Sequence, residues 1–286
     1  MSEINITELV KAAGNLVSLP DIFIRINKLV EDPQSSLEDI TKVVSQDPSF
    51  TVRLLRIANS PFYGFSSAIE TVSRAVMLIG TSQVRNLALS TSVSHSFEGL
   101  PNELVSIDNF WKHSLYCALV ARILAHRLRK TDPEALFTAG LLHDIGELVI
   151  FNRLPEQAKE VLTRVLDSGD EMPVFEAERQ TMGFDHAQVG GELARQWKLP
   201  LLLQECIAHH HDILQAQNYP VEAAMVHIAN TLALLAEVDS IDLDDVPAID
   251  PQAWKVTGFE PGELIESTIR EAQEEFIDAQ KLFLGN

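Results

Sequence analysis

Ala139-Gly-Leu-Leu-His-Asp-Ile-Gly146 is the stretch on which the reading of this chain turns. Its first residues are apolar and continue a helical pattern. An imidazole and a carboxylate then stand side by side, and Ile-Gly lets the backbone turn close to them. His143 and Asp144 can each give one ligand atom to a divalent metal. A lone His-Asp pair arises often by chance, so the weight falls on other histidines. His113, His186 and the triplet His209-His210-His211 stand at suggestive places before and after it.

Spacing sharpens the set. His113 and Cys117 are i and i+4, so they share a helix face. His186 and Gly190 have the same relation, and a glycine there admits a second element, or a metal with its waters. His210 and His211 would lie about 100° apart on a helix, able to serve neighbouring metals or one metal and a partner. His227 and Asn230, at i and i+3, share a face. Taken singly, each histidine reads most simply as a satisfied core or surface group. Taken with the adjacent His-Asp, they read as a metal site, and imidazole plus carboxylate suits Fe, Mn, Zn or Ni.

Composition bounds the rest. The chain has 286 residues, 46% of them hydrophobic, enough for one large or two small domains with a sizeable core. Acidic residues number 41 against 22 basic, a net charge of −19. Such a surface repels nucleic acid and anionic lipid, so neither is an expected partner. Two distant cysteines, Cys117 and Cys206, make no disulfide framework and fit a reducing cytoplasm. The first residues lack the basic start and apolar core of a signal peptide. No apolar run reaches the roughly 18–20 residues of a membrane span.

The periodicity is helical throughout. Ile22, Ile26, Leu29 and Val30 share one face, and Leu37, Ile40, Val43 and Val44 another. Asp47-Pro48 reads as an N-cap with proline at the first helical position, and that helix stops near Asn59-Ser-Pro61. Thr71 caps the next helix and Gly80 ends it. Thr81 starts another. A polar stretch over 98–103 suggests a boundary, which gives an N-terminal helical lobe over 1–100. Longer helices follow over 101–240, among them Trp111–Leu128, Glu134–His143, Val174–Met182, His186–Trp197 and Pro200–His211. Residues 241–286 read as the end of an acidic linker that begins at Glu237, and a last helix towards Phe283 that packs back on the body. The class is all-α.

With these motifs in place, the chain resembles the HDOD domain proteins, a branch of the HD phosphohydrolase superfamily. The resemblance runs from about Leu16 to Phe283. It rests on Leu19-Pro20, Val44-Ser-Gln-Asp-Pro48, Leu54-Leu-Arg-Ile-Ala-Asn-Ser-Pro-Phe-Tyr-Gly64 and Ala75-Val-Met-Leu-Ile-Gly80. In the second half it rests on Trp111-Lys-His-Ser114, Gly140-Leu-Leu-His-Asp-Ile-Gly146, His186-Ala-Gln-Val-Gly190, Trp197-Lys-Leu-Pro200 and His210-His211. It implies a helical N-terminal subdomain packed on an HD-like bundle. It also implies a bacterial signalling domain that binds a signalling partner or small ligand, and it allows a homodimer.

Departures from the hydrolase pattern carry as much weight. The resemblance puts His113, His143, Asp144, His186, His210, His211 and Asn230 at the metal positions. Asn230 stands where the hydrolases have a closing aspartate, and a neutral amide cannot bridge two cations. Glu147 stands where cyclic-di-GMP phosphodiesterase relatives have a lysine, and it would repel a phosphate. These changes point to a weak or mononuclear metal site with no catalytic residues. The alternative is a metal-dependent phosphohydrolase acting on a nucleotide or cyclic dinucleotide. Leu37–Leu55 also has the rhythm of a helix-turn-helix with Thr51, Arg53 and Arg56 exposed, against which the net charge argues.

Overall fold

Caps and apolar stripes account for most of the architecture. The computed structural model describes residues 4–13, 19–96, 106–129, 131–169, 172–243, 246 and 248–284. Among the described residues there is no strand. The boundary expected at 98–103 lies outside the described residues. The chain divides into two compact units, Val17–Glu98 with Ile277–Asn286, and Met1–Leu16 with Gly99–Phe276.

The smaller unit holds α2 (Asp21–Glu31), α3 (Leu37–Ser45), α4 (Pro48–Ala58), α5 (Val72–Ile79) and α6 (Thr81–Ser96). Side-chain caps start three of these helices. Ser36 and Asp39 form a capping box. Asp47 accepts from the Phe50 N–H ahead of Pro48, and Thr71 accepts from that of Arg74. Gly80 ends α5 at φ 94°, a conformation open to glycine. Phe23, Ile26, Ile40, Val44, Phe50, Leu54 and Ile57 fill the core. Asn59 locks the following loop, because its amide donates to the Ile69 carbonyl and its oxygen accepts the Ile69 N–H, at 2.8 and 2.7 Å. The helix-turn-helix reading loses two of its three exposed residues. Arg53 donates to the Thr91 carbonyl at 2.8 Å and the Thr51 hydroxyl to that of Val44 at 2.9 Å, and Arg56 alone stays exposed.

The larger unit is built around α7 (Ile107–Leu128), α8 (Pro133–Leu142) and α14 (Pro220–Val238). Nearly every residue of α7 from Ser114 to Ala125 is buried, as is α8 from Leu136 onward. Around them lie α9 (Ile145–Arg153), α10 (Pro155–Asp167), α11 (Val174–Met182), α12 (His186–Gln196) and α13 (Leu201–His209). The short α15 (Pro251–Thr257) follows, then α16 (Glu263–Phe283). Up to Phe276, α16 packs back through Arg127, which bonds Ser267, Thr268 and Glu271, and through Tyr116 stacked on Phe276 at 3.9 Å.

The division into 1–100, 101–240 and 241–286 is corrected at both ends. A further helix, α1 (Ile6–Ala13), belongs to the larger unit. Val10 and Ala13 are buried there, and Arg153 and Gln196 hold its carbonyls. Most of α16 joins the same unit. Glu237 is helical, in the last turn of α14, and not part of a linker. By length and composition α14 could cross a membrane, with a mean hydropathy of 1.4, and it stands as a mostly buried core helix here. Its interspersed His227, Asn230 and Thr231 kept the apolar run from showing in the sequence.

Glycines set how closely the ligand-bearing helices approach. A Cβ on Gly146 would strike the His186 carbonyl and come within 2.6 Å of the Gly190 nitrogen. A Cβ on Gly191 would come within 2.5 Å of the Ala208 Cβ. The Gly146 contacts are with backbone atoms, so no side chain can swing away. Gly146→Ala should therefore destabilise the chain by about 3 kcal/mol, at the upper end of overpacking costs. Urea unfolding checks this, and a variant within about 0.5 kcal/mol of the parent would contradict the packing argument.

Candidate metal centre

Five elements deliver the polar side chains of the larger unit to one place. His113 is on α7 and His143 is the residue just after α8. Asp144 occupies the N-cap position of α9, yet its carboxylate makes no capping bond. It is thereby left to face the histidines. His186 is the first residue of α12, behind a capping box formed by Asp185 and Gln188. His210 follows the last residue of α13, and His211 comes next. The expected helix therefore stops two residues short of His211.

Asp144 is the hub. Its oxygens lie 2.9 Å from His143 Nε2, 3.2 Å from His186 Nε2, 3.4 Å from His210 Nε2 and 3.7 Å from His113 Nε2. The far nitrogen of each of these rings is tied down. Nδ1 of His143 donates to the Gly140 carbonyl at 2.8 Å, and Nδ1 of His210 to that of Ile207 at 2.9 Å. Nδ1 of His186 donates to Glu178 at 2.7 Å, and Nδ1 of His113 to Glu237 at 2.6 Å. This is the arrangement by which proteins orient metal-binding imidazoles. His186 Nε2 also meets His211 Nε2 at 2.9 Å.

Burial makes the electrostatics strong. His143 and His210 have no exposed surface, and Asp144 and His186 are buried as well. Burial would raise the Asp144 carboxyl, but the imidazoles beside it hold it well below the usual carboxylate range. Burial would also discharge His143, yet Asp144 outweighs it and lifts that ring to about 10. His186 is likewise raised, against burial, by Glu178 and Asp144. His210 is pushed down to about 4 by burial, helped by the charge on His143. His211 falls too, by burial and by His210 and His186. Glu147 rises to about 8 through burial and the repulsion of Asp144.

The donor set fits a divalent transition metal. His143 Nε2, His210 Nε2 and Asp144 Oδ1 are buried and make no hydrogen bond, although they sit within reach of one another. They point at shared space. The donor atoms of Asp144, His186, His210 and His211 lie within 4.8 Å of one another, as do those of His113, His143 and Asp144. Ligands about 2.1 Å from one metal are separated by roughly 3–4 Å, which the Asp144 distances match.

The structure thus gathers His143, Asp144, His186, His210 and His211, with His113 at one edge. Asn230 meets the group only through His113, whose Nε2 it accepts at 3.0 Å. Glu178 and Glu237 went unrecognised in the sequence. Glu178 offered a weak signal, being on a helix that ends just before His186, and Glu237 offered none. His227 was noted only for sharing a face with Asn230. It donates from Nδ1 to the His210 carbonyl at 2.7 Å and accepts the Asp250 N–H at 3.0 Å. Cys117 lies buried beside His143. Surface cavities of about 640 and 590 Å³ are lined by other residues.

Comparison with known proteins gives the family and the fold. The HDOD domain family matches residues 16–213. The chain belongs to the HDOD domain family. An HDOD domain protein of unknown function from Geobacter sulfurreducens has the same fold, with a TM-score of 0.71 at 24% identity over 97% of this chain and 98% of that one. A candidate phosphohydrolase from Shewanella amazonensis also gives 0.71, at 25% identity over 97% and 96%. An uncharacterized protein of Treponema pallidum is 26% identical over 221 residues, 76% of this chain. The chain spans 42% of that relative's length. This HDOD fold is related to that of the HD phosphohydrolases.

One consequence concerns pH in the metal-free protein. The His143 pKa is raised from 6.5 to about 10, so its contribution is fully present below pH 6.5 and is lost as pH climbs towards 10. The melting temperature of chelator-treated protein should fall across that interval. In His143→Gln the fall should be shallower by a few degrees, and parallel curves would show that His143 is not the titrating group.

Proposed function

We propose that this HDOD domain is a bacterial signal-transduction module that acts by binding, its histidine cluster holding a single divalent transition metal without hydrolysing a nucleotide. The observation that carries this reading is the unequal state of the two corners of the cluster. On one side His143, His210 and Asp144 present buried atoms with no hydrogen-bond partner. On the other, both ring nitrogens of His113 are engaged, by Glu237 and by Asn230. A second cation there would have to displace a hydrogen bond and would meet an amide where it needs a carboxylate.

A bound metal supplies positive charge, and with it Lewis acidity. His143, Asp144, His186 and His210 would hold it, with His211 beside them. The chain's own residues do the rest: Gly140, Ile207 and Glu178 fix the rings, and burial keeps water away. Phosphoryl transfer asks for cations that neutralise developing charge. Here the position after the His-Asp-Ile-Gly turn holds Glu147, an acid whose charge is suppressed by burial and by Asp144. The net charge of −19 supports a protein or small-ligand partner over nucleic acid. Cytoplasmic residence and a homodimer are part of the same proposal, the first supported by two free buried cysteines.

Metal content of freshly purified protein, by plasma mass spectrometry, tests the reading. About one transition metal per chain is expected, lost in His143→Ala, with no turnover of cyclic dinucleotides. Asn230→Asp should raise the stoichiometry towards two. Two metals per parent chain together with phosphodiesterase turnover would replace this reading by the hydrolase one, for which the His113, His143 and Asp144 trio is the second site.

A further inference from the structure

His186 begins α12 and His211 lies just past the end of α13, and one residue outside the cluster touches the neighbour of each. Arg179 lies on α11, one turn after Phe175. Its guanidinium reaches Asp185 Oδ2 from Nε at 2.7 Å and from Nη2 at 2.5 Å. The same Nη2 reaches Asp212 Oδ2 at 2.5 Å. Asp185 immediately precedes His186 and caps its helix through the Gln188 N–H. Asp212 immediately follows His211. Arg179 also lies over the Phe175 ring at 5.0 Å, and Phe175 stacks on His211 at 4.2 Å and 18°.

We propose that Arg179 is a positioning residue of the metal centre, tying Asp185 to Asp212 and so setting the spacing and ring orientation of the His186–His211 pair. The proposal rests on the metal-centre reading above. A planar guanidinium can bridge two carboxylates and stack on an aromatic face at once, which an ammonium cannot. Nor is the contact an ordinary surface pair, because the Asp185 side chain is fully buried while that of Arg179 is about one-third exposed. His186 has a second tether in Glu178, which accepts both its backbone N–H and its Nδ1–H. Among the described residues, His211 has no comparable carboxylate. The Phe175 ring and the Arg179–Asp212 pair hold it instead, so the effect falls mainly on that ring.

Arg179→Met and Arg179→Lys, with Co(II) as the probe, give the test. In Arg179→Met the Co(II) affinity should fall ten- to hundredfold, the range for lost supporting contacts. The Co(II) visible bands should shift, and Arg179→Lys should recover part of both. Imidazole ¹⁵N spectra of the metal-free protein add a reading that needs no metal. His186 and His211 should move, while His143 and His210, held by carbonyls, should not. Asp212→Asn, at a half-exposed side chain, carries the same test if Arg179→Met does not fold. A folded variant with unchanged Co(II) affinity and unchanged His186 and His211 resonances overturns the proposal. A parent protein that takes up no Co(II) removes the metal-centre reading instead, and the tether is then decided by the ¹⁵N shifts.

Discussion

A single buried carboxylate organises the larger unit. Asp144 sits within 3.7 Å of four imidazoles contributed by α7, α12 and the ends of α8 and α13. Removing a charge from water costs several kcal/mol per ion unless partners replace the lost hydration. Here the His113, His143 and His186 imidazoles, all raised beside Asp144, supply the charge, and their far nitrogens are anchored to Glu237, the Gly140 carbonyl and Glu178. Take the carboxylate away and several rings lose their shared counter-charge at once. Helix approach follows the same requirement, because Gly146, Gly190 and Gly191 let backbones close to distances that a side chain would prevent.

The same constraint underlies the proposed reading of a metal-binding module that does not hydrolyse a nucleotide. Ring orientation, burial and the central Asp are all present. What differs is charge. Asn230 puts a neutral amide against His113, and Glu147 puts a suppressed acid beside Asp144. In the proposed single-metal reading, both residues lower the demand for a second cation while the first ligand group stays whole.

Much of this could be read from the chain alone. Asp47-Pro48, Thr71 and Gly80 mark helix ends by local chemistry, and each does so in the structure. The apolar runs of α7 and α8 announced buried helices. The histidines could be named as candidates because His-Asp adjacency is a local pattern. Glu237 could not, since it meets His113 across 124 residues, and its acidic neighbourhood looked like a linker. α1 was missed because it is short and its burial depends on helices almost 200 residues away. Arg53 looked exposed by periodicity, but a carbonyl on α6 uses its guanidinium.

What the sequence by itself determined is the helical class, the placement of caps and the residue types able to bind a metal, because all three depend on neighbours within a turn or two. Tertiary structure alone decided which nitrogen of each histidine faces Asp144, which acids hold the rings, and how α11 joins the segments carrying His186 and His211. Those facts are relations between helices brought together by packing, and an imidazole becomes a ligand, a cation or a strut according to what lies against its second nitrogen.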